Sequence, residues 1–361
     1  IGLMFKFAIS TSLIFPLLLI SIIFWLINWF WPYISALYSN TKDSPAAKVA
    51  KTYYGDFNDD KKIRKFISKV DLITYEFENI PTNSLKIIEK SIPIFPPISA
   101  LKITQDRVKE KKFFKDNNIP CAKTLILKKI SDLKKIKKEV LYPSIIKTTR
   151  LGYDGKGQFS FKNYLELEAS WYKLEKTTCI IEEKINIKKE ISIIGARTPS
   201  GEIKVYPSFN NIHKNHILNI TKLPSRTNKK TEKLAIDYTI RILKKLRYVG
   251  ILCVEFFIDK NGKLVANEMA PRVHNSGHIT IEACLTSQFE QHLRAITNQS
   301  LGKVDLIKPA IMKNLIGNDI NNTQLIKSKK MFSNFKKSKL HNYKKAKVES
   351  GRKMGHITFI W

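Results

Sequence analysis

The sequence predicts an α/β protein of two or three domains. Three features lead there. Helix-patterned and strand-patterned segments alternate between residues 43 and 150, a glycine-rich loop follows one of those strands, and a long hairpin near residue 260 sets two carboxylates side by side. The 361 residues are enough for several domains with a sizeable core, and a hydrophobic content of 43% belongs to a globular chain.

Charge narrows the function. The formal net charge of +32 suggests nucleic acid at first, but the 63 basic residues comprise 53 Lys and only 10 Arg. The lysines are scattered, and their densest runs, 128–138 and 327–347, are broken by apolar residues. Groove-reading proteins favour the planar Arg fork, so a nucleic-acid partner is not expected. The four cysteines, Cys121, Cys179, Cys253 and Cys284, are far apart without a CxxC pair, which fits reduced thiols in a cytoplasmic protein.

From the N-terminus, residues 7–41 carry no charge and are long enough to cross a bilayer, with Trp25, Trp29 and Trp31 near one end. A membrane contact through this run is one reading. The rest of the chain reads as a soluble enzyme. DDKKIRKFISKV has helical spacing, VDLITYEFENI reads as a strand and its loop, and TQDRVKEKKFFKDNN, residues 104–118, as a charged helix. Residues 140–150 read as a strand leading into GYDGKGQ, where Gly152, Gly155 and Gly157 would let backbone N–H groups approach phosphates. The loop is neither a Walker A nor a GxGxxG motif, and as a bare pattern it could be a plain turn. Lys147, preceded by Ile145 and Ile146, would be partly buried and need an anionic partner.

Residues 178–196 and 202–209 read as strands. Glu182, Glu183 and Glu190 lie among apolar residues there, and an edge strand with a solvated face accounts for them on pattern alone. Residues 229–247 read as an amphipathic helix. In YVGILCVEFFIDKNGKLVANEM, Asn261-Gly262 predicts a two-residue hairpin loop. Pairing Lys260 with Lys263 then places Glu255 opposite Glu268. Like charges there are destabilising, so a bound cation such as Mg²⁺ is suggested, although two solvated glutamates on an exposed ribbon would fit the spacing too. APRVHNSGH gathers Arg272, His274, Asn275, Ser276 and His278 in a loop suited to an anionic substrate, with a plain surface loop as the alternative. Residues 280–297 read as a helix, and the Lys- and Asn-rich stretch after 300 as a small domain or tail.

Together these stretches resemble the ATP-grasp superfamily, and within it the 5-(carboxyamino)imidazole ribonucleotide synthetases, the ATPase subunit of phosphoribosylaminoimidazole carboxylase. The resemblance rests on KDSPAAKVA, DLITYEFENIP, QDRVKEKKFF, GYDGKGQ, IIEEKI, YPSFNNIHKNHIL, YVGILCVEFF, NEMAPRVHNSGH, TSQFEQHLRAI and SGRKMGH, in family order from about residue 42 to residue 356. It implies a degraded Rossmann-like pre-ATP-grasp domain (the apolar segment 1–41, then 42–103), an ATP-grasp domain (104–300) and a truncated C-terminal domain (301–361). It implies an ADP-forming carbon–nitrogen ligase of purine biosynthesis that uses ATP, Mg²⁺ and bicarbonate to carboxylate aminoimidazole ribonucleotide through carboxyphosphate. The class labels lyase and decarboxylase travel with the family name, and a homodimer is implied.

By motif position the resemblance assigns ATP contacts to Arg107, Lys147, Gly152, Tyr153, Asp154, Gly155, Lys156, Gly157, Gln158, Glu182, Glu183, Lys184, Ile185, Glu190, His213, Asn267 and Glu268. It assigns substrate contacts to Glu76 or Glu78, Tyr153, Asp154, Arg272, His274, Asn275 and Ser276, with Lys345 and Arg352 for a phosphate. Lys147, Asp154, Arg272 and His274 would be catalytic, and Glu255 and Glu268 would hold the metal. The family's opening GxGQLG loop is not visible. Residues 13–40 would replace the expected helix end and second strand with an apolar run, either through an eroded reading frame or as a real anchor. The expectation is then a hydrophobic helix that packs poorly, with Trp25, Trp29 and Phe30 exposed. The alternatives are another ATP-grasp carboxylate–amine ligase or an inactive, membrane-tethered remnant.

Overall fold

The structure, a computed structural model, describes residues 6–10, 34–41, 45–48, 50–152, 156–332, 334–345 and 347–361. Five short strands open the fold: β1 (Lys6–Ser10), β2 (Ile34–Ser39), β3 (Lys51–Tyr54), β4 (Leu72–Tyr75) and β5 (Ile94–Phe95). They form a parallel sheet in the order β3-β2-β1-β4-β5. This is the strand order of a doubly wound fold, which binds ligands past the carboxyl ends of the strands where the order reverses, between β1 and β4. Glu76 and Glu78 follow the end of β4.

The sheet corrects one expectation. The second strand is not lost, because Ile34–Ser39 pairs in register with both β1 and β3. Ala36, Leu37 and Tyr38 are buried, so the last part of the apolar run is core. The expected hydrophobic helix with Trp25, Trp29 and Phe30 lies outside the described residues. Among the described residues no helix is long and apolar enough to cross a membrane.

Helix α1 (Asp60–Ile67) is capped by Asp59, which accepts from the Lys62 N–H, and buries Ile63, Phe66 and Ile67 against this sheet. Helices α2 (Thr82–Glu89) and α3 (Ile98–Thr104) follow. Helix α4 (Arg107–Asp116) starts at Asp106, whose side chain accepts from the Val108 and Lys109 N–H groups. It leads into a small antiparallel sheet of β6 (Thr124–Leu127), β7 (Ser144–Thr148), β8 (Gln158–Phe161) and β9 (Cys179–Glu183), ordered β6-β9-β7-β8. Helices α5 (Ile130–Glu139) and α6 (Tyr164–Lys173) cover it through Leu133, Ile136, Leu167 and Trp171.

The run 178–196 is two strands in two sheets. β9 ends at Glu183, and β10 (Ile187–Arg197) enters the large sheet, paired with β12 (Phe209–Lys214) and β14 (Gly250–Asp259). Periodicity did not show this, since both halves carry β-branched strand residues and read as one strand. β9 lies between β6 and β7, so the edge-strand reading of Glu182 fails, and the residue is 3% exposed.

The large sheet continues through β13 (Ile217–Leu223), β15 (Leu264–Ala270), β16 (Ala310–Ile316), β17 (Lys337–Asn342) and β18 (Lys353–Ile360), with β11 (Ile203–Val205) beside β10. Its order is β15-β14-β10-β12-β13-β16-β18-β17. The C-terminal strands therefore extend the central sheet through β13 and β16 rather than forming a detached tail. Helix α7 (Lys229–Lys245) buries Ala235, Ile242 and Leu243 against it. The expected helix over 280–297 is two, α8 (Thr280–Ala283) and α9 (Gln288–Ile296), because Ser287 caps a new start by accepting from the Glu290 N–H.

Candidate active site

The hairpin of β14 and β15 places Glu255 opposite Glu268, as the turn signal suggested, but by another route. Asp259 and Lys263 close the turn, since the Asp259 N–H donates to Lys263 O at 3.0 Å and the Lys263 N–H to Asp259 Oδ1 at 2.8 Å. The loop is therefore Lys260-Asn261-Gly262, three residues, with Gly262 at φ +82°. That register holds from Ile258–Leu264 to Phe256–Ala266, and then shifts by one at Asn267. The bulge offsets the longer loop.

Neither carboxylate pairs with the other. His274 Nε2 lies 3.2 Å from Glu255 Oε1, and Arg107 Nη1 lies 3.5 Å from Glu268 Oε2. Burial pushes the Glu255 carboxyl up, but the His274 hydrogen bond and the nearby imidazoles more than offset it and hold it below its ordinary range. The His274 ring is oriented by Ser276 Oγ at 2.8 Å from Nδ1, Ser276 by Ser192 at 2.8 Å, and Asn211 donates to Ser192 at 3.0 Å.

Arg107 joins this hairpin to the glycine loop by donating to Gly152 O at 3.0 Å. Within that loop Gly157 has φ +69°, and the Thr148 N–H donates to Gly157 O at 2.9 Å. Lys156 and Gln158 lie on its return, with Gln158 paired to Lys147 across β7 and β8. Tyr153, Asp154 and Gly155 lie outside the described residues.

The anion expected for Lys147 is Glu182, 2.5 Å away. Lys111 of α4 takes the other oxygen of the same carboxylate at 2.8 Å. Burial would raise the Glu182 carboxyl, but the two ammoniums overcome it and hold the group far below its usual range. Glu183 and Lys184 use their N–H groups on Lys123 O and Pro143 O, which fixes the crossover carrying Ile185. Beside it, His213 Nδ1 lies 2.6 Å from Glu190 Oε2. Burial lowers the His213 pKa and the Glu190 hydrogen bond raises it, with a net rise.

The second half of the cleft adjoins the β4 end of the parallel sheet. Arg272 Nη2 lies 2.7 Å from Glu78 Oε1, and Gln105 donates to Glu78 O at 2.5 Å and to Ile80 O at 2.9 Å. Arg150 donates to Gln105 Oε1 at 3.1 Å. Glu76 is buried, which pushes its carboxyl up to about 8 despite the charges of Arg272, Lys353 and Lys345. Lys345 is held down at about 8 by burial and by the Arg352 charge. Asn275 Oδ1, in the loop after Arg272, is buried without a hydrogen-bond partner.

Sequence reasoning missed Glu110, Lys111, Gln105, Arg150 and Lys353. One signal was available: Arg107, Glu110, Lys111 and Phe114 follow helical spacing, and Phe114 is fully buried, so that stripe faces inward. It also missed a cluster behind the Arg272 loop, where His341 Nε2 lies 2.7 Å from Glu282, and the Tyr343 hydroxyl lies 2.9 Å from His356 Nδ1. Glu282, His341 and His356 have the ligand types of a metal site; burial, and after it the neighbouring His341, His278 and Lys353, hold the His356 imidazole well below its usual pKa.

Comparison with known proteins matches three family models. They are the ribonucleotide synthetase preATP-grasp domain over residues 31–105, the ATP-grasp domain over 112–289, and the phosphoribosylaminoimidazole carboxylase C-terminal domain over 310–361. The first match begins inside the apolar run, ahead of the resumption expected at Lys42. The chain is 40% identical over 329 residues to the N5-carboxyaminoimidazole ribonucleotide synthase of Bacillus subtilis (strain 168), covering 91% of this chain and 85% of that one. It superposes on an N5-carboxyaminoimidazole synthetase from Staphylococcus aureus solved with ADP, with a TM-score of 0.89, 33% identity and coverage of 99% and 93%. An N5-carboxyaminoimidazole synthase from Aspergillus clavatus, solved with ADP and 5-aminoimidazole ribonucleotide, shares the fold at a TM-score of 0.87 and 24% identity, with coverage of 99% and 94%.

Proposed function

The chain belongs to the N5-carboxyaminoimidazole ribonucleotide synthase family of ADP-forming carbon–nitrogen ligases, and on that premise we propose how its cleft divides the work. Relatives of this family carboxylate aminoimidazole ribonucleotide with ATP in purine biosynthesis, which supports ligase chemistry here and gives no support to the lyase and decarboxylase labels. The observation that carries the reading is the linkage of Glu255 and Glu268 to the glycine loop through Arg107.

ATP occupies the groove between the small sheet and the large one, its phosphates under Gly152–Gln158 and beside Lys147, its nucleoside near Glu182–Ile185 and the Glu190–His213 pair. Two opposed carboxylates with oxygen-only donors fit Mg²⁺. When bound, the ion neutralises charge on the transferring phosphoryl group. Arg107 and Lys147 do the same from the protein side.

The γ-phosphoryl group moves from ATP to a bicarbonate oxygen, the bond from its phosphorus to the β-phosphate oxygen breaks, ADP leaves and carboxyphosphate forms. The exocyclic amine of aminoimidazole ribonucleotide then attacks the carbonyl carbon, or CO₂ released from it. The new C–N bond forms, phosphate leaves and the amine gives up a proton. Arg272, His274, Asn275 and Ser276 hold this second substrate, with Glu76 or Glu78 at its ring end and Lys345 and Arg352 on its phosphate. The position of Glu76 and Glu78 past the switch point of the parallel sheet supports that placement. The domain limits belong to the same proposal: an N-terminal domain made of the segment 1–41 and its remainder 42–103, then 104–300 and 301–361; so does a homodimer.

The test is acceptor dependence. ATP hydrolysis should require aminoimidazole ribonucleotide and not respond to glycinamide ribonucleotide or biotin. Equal stimulation by either competitor would reject the specific activity and leave the fold.

A further inference from the structure

Strand β15 is the outer strand of the large sheet, and the bulge that aligns Glu268 lies on it. An edge strand exposes unpaired N–H and C=O groups, and a bulge there adds more. In this chain α4 and the loop after it take them up in sequence. The Ala266 N–H donates to Pro120 O at 2.7 Å, with Cys121 bridging Ala266 in parallel. Lys111 Nζ donates to Asn267 O at 2.7 Å, and the Met269 N–H donates to Glu110 Oε1 at 2.7 Å. Helix and loop thus stand in for a missing neighbour strand along the bulge.

Register gives this clamp a consequence. Had the pairing of the turn continued, Glu255 would face Asn267, and Glu268 would face Val254 on the opposite side of the sheet. The extra residue returns Glu268 to the face of Glu255. Glu110 and Lys111 are 2% and 4% exposed, and neither is assigned to a ligand. Lys111 also holds Glu182, the partner of Lys147, so one ammonium ties the bulge to the small sheet. Arg107, one turn earlier on the same helix face, meets Glu268 itself.

We propose that Glu110 and Lys111 are positioning residues that lock the Asn267 bulge and so present Glu268 beside Glu255 for the nucleotide-bound metal. The proposal rests on the metal role given above to those two carboxylates. Its structural half is read without any ligand, by amide hydrogen exchange. E110A and K111M should lose protection over residues 264–270 while β10 stays protected. E110Q and K111R, which keep an acceptor and a donor, should retain it.

The functional half is read by Mn²⁺ binding to the protein–ADP complex, followed by electron paramagnetic resonance. Mn²⁺ affinity should fall about tenfold in E110A, the scale of a lost supporting contact to a metal ligand, and recover in E110Q. Affinity for ADP without metal should stay near that of the wild type. Wild-type protection and wild-type Mn²⁺ affinity in both E110A and K111M would overturn the proposal. If ADP-dependent Mn²⁺ binding is weak in the wild type itself, the metal reading falls, while the exchange data still decide whether the clamp exists. Should E110A fail to fold, the K111M and K111R pair carries the same comparison.

Discussion

Glu255 and Glu268 stand opposite one another across β14 and β15, although every pair between them and the turn is one register out of step. The alignment is restored at a single residue, Asn267. Replacing Glu268 by Gln keeps the shape and removes the charge. We expect aminoimidazole ribonucleotide-dependent ATP turnover to fall by on the order of a hundredfold or more, the scale of losing one charge-stabilising group. Steady-state phosphate release checks this, and retained activity would point to other metal ligands.

Glu182 should matter for stability as well as for nucleotide binding. Its removal in E182A leaves the Lys111 and Lys147 ammoniums together in a buried site. Breaking such a pair costs about 3 kcal/mol or more. Urea unfolding should show the loss. K147M should be milder, because Glu182 keeps Lys111, yet it should abolish turnover. A K147M variant less stable than E182A would contradict this ranking.

Gly157 is held at φ +69°, and a Cβ there would stand 2.7 Å from Thr148 Oγ1, the atom that donates to Arg150 O. G157A therefore meets both a disfavoured backbone conformation and a displaced loop bond. It should raise the KM for ATP by about an order of magnitude and lower stability by about 1 kcal/mol. An unchanged KM would show that the loop does not touch the nucleotide.

Lys345 gives the pH dependence. Burial and Arg352 hold its pKa down at about 8, so the free enzyme loses this proton above that pH. A phosphate dianion between Lys345 and Arg352 would favour the ammonium and raise the value toward its ordinary one, about 10.4. Binding of aminoimidazole ribonucleotide should then take up a proton between these limits, and almost none below about pH 7. Calorimetry in buffers of different ionisation enthalpy measures the uptake. No uptake at about pH 8.5, or the same uptake in K345M, would reject Lys345 as the phosphate contact.

Much of this was legible in one dimension. The α/β class followed from alternating periodicities, because a helix face repeats every three to four residues and a strand face every two. The family followed from the resemblance carried by GYDGKGQ and NEMAPRVHNSGH, since the glycine loop as a bare pattern fits a plain turn equally well. The need of Lys147 for an anion followed from its apolar neighbours, since a buried ammonium without a partner is too costly to keep. Periodicity said less where two structures share a pattern. The strand-like run from 178 to 196 crosses from one sheet to another at Lys184–Asn186, and Ile34–Ser39 is a parallel strand inside what reads as a membrane-like segment.

Tertiary structure alone decided the partners. Nothing in RVKEKKFFKD says that Glu110 would take the Met269 N–H or that Lys111 would join Asn267 to Glu182, because those residues are separated by 71 or more positions along the chain. The hairpin shows the division most clearly. Asn261-Gly262 determined that the chain turns there and that the two carboxylates lie at nearly the same level of the hairpin. Whether they meet on one face depended on the bulge at Asn267, which α4 stabilises by bonding backbone groups that an edge strand leaves open.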